Sequence, residues 1–484
     1  MIANPKKHFD VITYTGDSSD TAGNQQDITG LAFEPGMIWL KKRTATTHHY
    51  LFDQLRGAKY ISPSGEGAET ADDGIDDWNS DGVTLEYTTG TELITNDATY
   101  VGWTWKAGTT GSISAEAYDD DVYDDSQIWS GSHGSDAAFE GDFGSTGLSV
   151  GTSAVNLTSI GFSVTSTISV WIHNPSGINV ILGYNGTDYT ATDPTDFGWT
   201  DFTVPSGTNS GTLTVKLADS GDECRGVKID GKILVDSDAA EPPHVPTIAS
   251  TYRADTDVGF SIVKYTGTAT NPSSIGHGLN AEPAMIWVKR LEGAVTPWVV
   301  YHKDIGPTKN LFLTRPDAAT VDATLWNNAY PTSTVWYTQD AANTNSAHDF
   351  IAYCWSEVEG YSKFGSYTGT GLDPGPFVYC GFKPAFLMIK RTDTFYGGSP
   401  TIDTDWIQYD GKVQPNEISF SHSTSWPYSF MQGHETSLGT NDEIDFVSNG
   451  FKLRSNGAWN NDTATATHVF AAWAESPFKY ANAR

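Results

Sequence analysis

One motif occurs three times in this chain of 484 residues, and that repetition constrains the fold more than any other feature. EPAMIWVKR (282–290) has relatives in EPGMIWLKKR (34–43) and KPAFLMIKR (383–391). Each copy contains a Pro, a small residue, an apolar run with Met, and basic residues at its end. A Tyr-Thr-Gly step precedes each copy, at Tyr14, Tyr265 and Tyr367. Self-similarity on this scale predicts one structural unit used three times.

The sequence between the motifs favours strands. Trp, Tyr and Phe make up 12 % of the residues, and these are strand-forming residues. The 48 Gly residues, with many Asn, Asp, Ser and Pro, supply turns. Segments such as FDVITYTG (9–16) and FSIVKYTG (260–267) alternate as strands do. We therefore predict an all-β fold with three repeated β-sandwich-like modules.

The copies match at both ends and diverge in the middle. Closing strands are predicted at 99–108, 348–357 and 467–480, each rich in bulky residues. Asp81-Gly82 and Asn449-Gly450 are hairpin-turn dipeptides in the first and third copies. The second copy has no clear equivalent around Val335 to Tyr337, so its hairpin is the weakest of the three predictions.

A segment of different character separates the first and second copies. It is rich in Ser, Thr and Gly, and the turn Asp230-Gly231 between two apolar runs predicts a hairpin near its end. We interpret it as an inserted β-sandwich domain of jelly-roll type, followed by the stiff linker EPPHVP (241–246). The predicted domains are repeat module 1 (1–108), the inserted domain (109–246), repeat module 2 (252–357) and repeat module 3 (358–484).

Charge and cysteine content narrow the function classes. There are 28 Lys and Arg against 59 Asp and Glu, a net charge of −31. Such a chain repels nucleic acid and anionic membranes, so neither is a predicted partner. No secretory signal follows Met1, and no apolar run is long enough for membrane insertion. The three cysteines form no CxxC pair, so no disulfide framework is expected.

Motifs for catalysis or metal binding are weak. Gly147 to Gly151 spell GxSxG, but the strand–turn–helix context that this motif needs is not predicted there. The twelve His residues show no metal-ligand spacing, and His48 and His49 are expected on opposite faces of one strand. The acidic run Asp119 to Asp125 could gather oxygen ligands for Ca²⁺, with a solvated loop as the alternative. We predict no catalytic residue, no cofactor and no enzyme activity.

Basic and aromatic residues remain as candidate contacts. Lys41 to Arg43, Lys289-Arg290 and Lys390-Arg391 end the repeated strands, either as solvated ends or paired with carboxylates of a neighbouring module or subunit. Aromatic residues with a period of two in the closing strands are interpreted as core first and as a sugar-stacking surface second. The middle loops carry the residues predicted to contact a glycan or partner, namely Trp326, Trp336 and Trp426.

Several phrases resemble a known repeat module. EPAMIWVKR, GYSKFGSYTG, GFKPAFLMIKR, SNGFKLRSNG and AAWAESPFKYANAR look like a unit common in structural proteins of tailed bacteriophages, especially marine and cyanobacterial phages. The opening IWSG and the ending VKIDGKILVDS of the inserted domain resemble a β-sandwich domain of the same phage proteins. The resemblance implies a virion structural protein, made in the host cytoplasm and released by lysis.

Three roles are compatible with that resemblance. The leading one is a tail-fibre or appendage component with host-surface glycan contact. The second is a capsid or tail decoration protein that serves particle assembly, and the least favoured is a polysaccharide depolymerase. The expected partners are other virion proteins, further copies of this chain in a homo-oligomer, and a host-surface polysaccharide.

Overall fold

The structure is a computed structural model of the chain. It describes residues 2, 4–17, 21–45, 47–88, 92–116, 148–149, 155–157, 162–173, 177, 179–192, 194, 196–208, 213–217, 222–234, 244–393, 406–412, 444–456, 460–461 and 464–477. All regular structure in these residues is β apart from one short 3₁₀ helix, Pro5–Lys7. The prediction of an all-β fold is confirmed.

Repeat 1 consists of a main sheet, a small sheet and a short hairpin. Its strands are β1 (Phe9–Thr15), β2 (Gln25–Thr29), β3 (Met37–Lys42), β4 (Tyr50–Asp53), β5 (Lys59–Tyr60), β6 (Thr70–Asp73), β7 (Ile75–Asn79), β8 (Gly82–Glu86) and β9 (Thr99–Trp105). The main sheet has the order β1-β9-β3-β4, and the small sheet β2-β8-β7. The repeated motif forms β3, an inner strand of the main sheet.

The inserted domain is built mainly of two facing antiparallel sheets. Its strands are β11 (Leu148–Ser149), β12 (Val155–Leu157), β13 (Ser163–Val164), β14 (Thr167–His173), β15 (Val180–Tyr184), β16 (Thr187–Ala191), β17 (Gly198–Thr203), β18 (Gly207–Thr208), β19 (Leu213–Lys216), β20 (Glu223–Ile229) and β21 (Lys232–Ile233). One sheet has the order β11-β20-β14-β17 with β21 on β20, and the other β12-β19-β15-β16. The Asp230-Gly231 turn joins β20 to β21, as its sequence predicts.

Before the inserted domain, a strand crosses over to repeat 2. β10 (Thr110–Ile113) lies inside the range 109–246, yet it pairs with β22 (Ser250–Asp255). The remaining strands of repeat 2 are β23 (Phe260–Thr266), β24 (Ser273–Gly276), β25 (Met285–Arg290), β26 (Val299–His302), β27 (Lys309–Phe312), β28 (Thr320–Val321), β29 (Val335–Thr338) and β30 (Asp349–Trp355). Its main sheet has the order β10-β22-β23-β30-β25-β26-β27-β28, and its small sheet has only β24 and β29.

Repeat 3 restates the arrangement of repeat 1. Its strands are β31 (Ser362–Thr368), β32 (Phe377–Tyr379), β33 (Phe382–Arg391), β34 (Trp406–Asp410), β35 (Ile444–Val447), β36 (Gly450–Leu453) and β37 (Thr467–Pro477). The main sheet has the order β31-β37-β33-β34, and the small sheet β32-β36-β35. The hairpin at Asn449-Gly450 is present, whereas Val335–Thr338 pairs with β24 and has no hairpin partner among the described residues.

Each main sheet is covered on both sides. Every residue of β3 and of β25 is buried, so these strands lack the one-sided alternation of a half-exposed sheet. The small sheet of the same repeat covers one side and encloses a local core. The other side faces a single central core to which all three repeats contribute. The repeats therefore share one core and are not independent units along the chain.

Three tryptophans lie at equivalent positions in the central core. Met37, Met285 and Phe386 pair with Trp105, Trp355 and Trp473 respectively. The indole rings of Trp105 and Trp473 lie 5.4 Å apart, those of Trp355 and Trp473 5.9 Å, and those of Trp105 and Trp355 6.3 Å, all in edge-to-face geometry. Such pairs add about 0.5–1.5 kcal/mol each beyond the area they bury. The rings join the three closing strands β9, β30 and β37.

A second equivalent position links the repeats in a ring. The Tyr353 hydroxyl of repeat 2 donates to Oδ2 of Asp53 in repeat 1 at 2.6 Å. His302, the equivalent of Asp53, has its Nε2 3.2 Å from the carbonyl oxygen of Phe470 in repeat 3. Asp410, the third equivalent, accepts from Nε1 of Trp103 in repeat 1 at 3.3 Å. The contacts run from repeat 1 to 2, 2 to 3 and 3 to 1, and so close the ring.

Loops lock the repeats in the same order. Nε1 of Trp298 in repeat 2 donates to the Ser62 carbonyl of repeat 1 at 2.9 Å. Nε1 of Trp406 in repeat 3 donates to the Phe312 carbonyl of repeat 2 at 3.0 Å. Ser62 and Phe312 occupy equivalent positions. Ser62 follows the residue that pairs with Leu51, and Phe312 follows the residue that pairs with Val300, which is the equivalent of Leu51 in repeat 2. The same interaction is therefore made twice with the next repeat along the chain.

We expect Tyr353→Phe to lower the free energy of unfolding by about 1.5–3 kcal/mol, because Asp53 then loses a buried donor. Tyr330→Phe is the matched control, since Tyr330 is 63 % exposed. Urea denaturation followed by tryptophan fluorescence measures both. A change below about 0.5 kcal/mol for Tyr353→Phe would show that this link contributes little.

His302 gives the junction of repeats 2 and 3 a pH dependence. Its Nδ1 accepts from the Asp304 amide at 3.2 Å, so the neutral ring with Nε2 protonated satisfies both contacts. Burial lowers the pKa of His302 to about 4 from 6.5. Between these two pH values the unfolded chain binds a proton that the folded chain does not, so stability falls as pH falls from about 6.5 to about 4.

The loss for one such group is on the order of 3 kcal/mol across that window. His302→Gln should therefore make the free energy of unfolding less steep against pH between 6.5 and 4. His277 has the same two kinds of contact within repeat 2 and a pKa lowered by burial to about 4, so adding His277→Gln should flatten the curve further. Identical slopes in the wild type and both variants would contradict the assignment.

Candidate functional site

Two of the three middle-loop tryptophans, Trp326 and Trp336, are buried and do not form a contact surface. Trp326 and Trp336 are 1 % and 0 % exposed, and their rings pack edge to face at 5.8 Å in the local core of repeat 2. The prediction that they are exposed contacts is therefore wrong. Their neighbours are apolar residues of the main sheet, which the loop folds back to cover. Trp426 lies outside the described residues.

Apart from the half-buried Arg43, the basic residues that end the repeated strands are buried, so the solvated alternative is wrong for them. Lys289 Nζ donates to the carbonyls of Thr296 and of Glu66, and Lys390 Nζ to the carbonyl of Asp317. Glu66 and Asp317 belong to the preceding repeat in each case. Burial, with Lys42 adjacent, lowers the pKa of Lys41 to about 7. Lys289 and Lys390 thus join neighbouring repeats through backbone carbonyls, whereas Lys41 donates to carbonyls within repeat 1.

Other candidate residues have structural settings. His48 is exposed and His49 is buried, as predicted, but both precede β4 and do not lie in a strand. Nδ1 of His49 accepts from Nε1 of Trp39 at 2.8 Å. The three cysteines are buried and unpaired with one another, and burial raises the pKa of Cys224 and Cys380 to about 12. Ser149 of the GxSxG match lies in β11 rather than in a turn.

No metal site was predicted, and the acidic run Asp119 to Asp125, for which Ca²⁺ binding and a solvated loop were the two alternatives, lies outside the described residues. Among the described residues, no group of three or more His, Cys, Asp or Glu side chains is placed to hold a metal ion. The same part of the chain contains no helix long and apolar enough to cross a membrane.

The strongest candidate surface lies on the inserted domain. In β14 the side chains of Ile168, Val170 and Ile172 point into the sandwich core and are buried. Because side chains alternate along a strand, Trp171 and His173 point to the opposite side. There Trp171 meets Trp199 of β17 edge to face at 5.5 Å. The outer side of this sheet thus carries aromatic residues where a solvated sheet carries small polar ones.

Phe197 is the most exposed ring on this surface, which we call the Phe197 surface and define by Phe197, His173, Asp196, Glu223 and Arg225. Phe197 is 53 % exposed and lies 4.1 Å from the His173 ring in stacked geometry. Its backbone has φ +52°, a left-handed conformation that bulky residues rarely adopt. Such strain is kept at sites where position matters more than local stability.

Charged groups surround that ring. Asp196 Oδ1 lies 2.8 Å from His173 Nδ1 and also accepts from the Phe197 amide at 3.0 Å. Arg225 places its guanidinium carbon 5.4 Å from the centre of the Phe197 ring and is paired with Glu223 at 2.9 Å. These pairs fix the polar groups in place around an exposed aromatic ring, which lowers the entropy cost of binding a polar ligand.

The other end of the same sheet face is covered. Lys228 Nζ lies 4.1 Å above the Trp199 ring, and Trp199 packs against Ile233 and the linker residue Val245. The accessible part is therefore the end around Phe197. An exposed ring flanked by carboxylates and a guanidinium suits a sugar, which offers C–H groups to a ring and hydroxyls to polar groups.

Sequence reasoning missed the Phe197 surface. The alternation in ISVWIHNP, with Trp171 and His173 in phase, is the signal that could have found it. That phase places large aromatic residues on the outer side of a two-sheet sandwich. The exposed aromatic contacts were instead predicted in the repeats, where Trp326 and Trp336 are buried.

Comparison with known proteins gives one family. A model described as a domain of unknown function (DUF7483) matches residues 4–123 and 236–477, about three quarters of the chain. The two matched segments contain the three repeats and flank the strands of the inserted domain. No curated protein and no solved structure matches the chain.

Proposed function

The chain belongs to the DUF7483 family, which is described as a domain of unknown function, and we propose that it is a phage virion structural protein. In this proposal it is a tail-fibre or appendage component whose inserted domain contacts a glycan on the host surface. The repeats act as a rigid body, and the Phe197 surface carries the contact. The resemblance of the repeated phrases to phage structural proteins supports the virion context.

The architecture supports separate roles for the three repeats, as a rigid body, and for the inserted domain, as the binding domain. The three repeats share one core and a closed ring of contacts, an arrangement that favours rigidity over internal motion. The inserted domain has a separate core of its own. A separate domain on a rigid body can present a binding surface without disturbing the body.

The observation that carries the glycan contact is the Phe197 ring. It combines exposure, a left-handed backbone and fixed charged neighbours. No other exposed aromatic residue in the described part of the chain combines these three features. Tyr330, for example, is 63 % exposed but has no left-handed backbone.

A decoration role in particle assembly is the second candidate. Exposed apolar residues on repeat 3, namely Leu372, Phe377 and Tyr379, favour it because such residues suit contact with another protein. The two roles use different surfaces, so substitutions can separate them. A depolymerase stays the least favoured role.

We expect the full chain to bind at least one polysaccharide on an array of bacterial surface glycans. Phe197→Asn should weaken that binding at least tenfold in calorimetry, since the ring that stacks on the sugar is lost. Tyr330→Asn, which removes an exposed ring from repeat 2, should bind as the wild type does.

Folding provides an internal check on the same variant. Asn tolerates a left-handed backbone better than Phe, so Phe197→Asn should leave the free energy of unfolding unchanged or raise it by up to about 1 kcal/mol. Equal glycan binding by the wild type and Phe197→Asn, or no binding to any glycan of the array, would overturn the proposal. Reducing ends released from the bound polysaccharide would favour the depolymerase.

A further inference from the structure

The first strand of the small sheet presents an equivalent surface in each of the three repeats, and its composition differs between them. Three residues of these strands are equivalent, namely Ile28 of β2, Ile275 of β24 and Val378 of β32. Each pairs with the same position of the neighbouring strand, which is Val83, Trp336 and Phe451 respectively. All three side chains are buried, at 5 %, 0 % and 8 % exposure. The residues on either side of them point outward, and these differ between the repeats.

In repeat 2 the chain covers this strand itself. The amides of Thr247 and Ile248 donate to the Ser274 carbonyl at 3.0 and 3.1 Å, and the Ser274 amide donates to Oγ1 of Thr247 at 2.8 Å. Ile248 pairs with Ile275 in parallel and is itself buried. The edge of β24 is therefore occupied by the segment of residues 244–250, which pairs with it at Ile248.

The outward residues of β24 are small because another segment of the chain packs against them. Ser274 and Gly276 are both buried. A Cβ at Gly276 would lie 2.7 Å from Cδ1 of Ile113 in β10. A large side chain has no room where another segment covers the strand.

In repeat 1 the same strand faces water and has the composition expected there. The outward residues Asp27 and Thr29 stand at the positions of Ser274 and Gly276. No described strand pairs with the free edge of β2. Repeat 1 thus shows the uncovered version of the surface.

In repeat 3 the surface is neither covered, as in repeat 2, nor polar, as in repeat 1. Its outward residues are Phe377 and Tyr379, exposed by 46 % and 58 %, with Leu372 exposed by 66 % nearby in sequence. Among the described strands, β32 pairs only with β36. Exposed apolar residues beside an unpaired strand edge favour association with another chain. Proteins usually prevent this with charged residues or by covering the edge with another segment. Asp27 and Thr29 show that this chain can supply polar residues at the position.

The backbone of β32 is also set for an added strand. Backbone groups along a strand point alternately to either side, and Pro376 O and Cys380 N bond towards β36. The N–H and C=O of Phe377 therefore point to the edge of β32 with which no described strand pairs. Phe377 is the equivalent of Ser274, whose N–H and C=O hold Thr247 in repeat 2.

We propose that the edge of β32 docks an extended segment of a different protein. The segment runs parallel to β32 and places an apolar residue beside Val378, as Ile248 lies beside Ile275. Phe377 and Tyr379 pack against it. A second copy of this chain is a poor occupant, because each copy carries a net charge of −31 and its own segment 244–250 is engaged in repeat 2. This mode of recognition is strand addition to a sheet edge.

The probe is a labelled, end-capped peptide of residues 244–250, HVPTIAS, which is the segment seen on the equivalent edge. We expect it to bind the full chain with a Kd below about 1 mM in fluorescence anisotropy. Phe377→Asp with Tyr379→Thr transfers the surface of repeat 1 to repeat 3 and should weaken binding at least tenfold. Val321→Asp with Tyr330→Thr removes two exposed apolar residues elsewhere and should leave binding unchanged.

Three results would overturn the proposal. One is no binding by the wild type, and another is equal binding by the Phe377 and Tyr379 double variant, which would place the peptide elsewhere. The third is a wild-type dimer in sedimentation that the double variant loses, which would make a second copy the occupant. A melting temperature of the double variant within about 2 °C of the wild type confirms that any loss is local. The test does not depend on the Phe197 surface, so it can fail or succeed independently of glycan binding.

Discussion

The contact between Trp105, Trp355 and Trp473 is the interaction on which the rest of the structure depends. Each indole comes from the closing strand of a different repeat, and each lies edge to face with the other two. Because closing strands are inner strands of their main sheets, fixing the three rings fixes the three sheets. A three-sided body with one core follows from that constraint.

The core that the three repeats share explains several features that independent repeats would not have. A main sheet buried on both sides needs apolar residues at every position, which is why β3 and β25 do not alternate. It also explains how lysines can end these strands without reaching water. Their ammonium groups meet backbone carbonyls, and for Lys289 and Lys390 these include carbonyls of the preceding repeat. The repeats differ in their small sheets, in their loops and at the edges of their main sheets, where repeat 2 has the additional strands β10, β22, β27 and β28.

The sequence predicted the building block but not how the blocks meet. The repeated motif and the alternation around it were enough for an all-β fold and for the hairpins at Asp81-Gly82 and Asn449-Gly450. Periodicity within one strand reports whether a face is covered, not what covers it. The basic strand ends and Trp326 and Trp336 were therefore misplaced on the surface. The Phe197 surface was missed for the converse reason, since its aromatic residues alternate like core residues while pointing outward.

Amide hydrogen exchange after Trp473→Phe is the most direct test of the shared core. In a closed body, loosening one ring weakens its packing against the other two. We predict that protection falls by a similar factor in β9, β30 and β37, although the substitution lies only in β37. Loss of protection confined to repeat 3 would contradict it and would show that the three repeats are independent units.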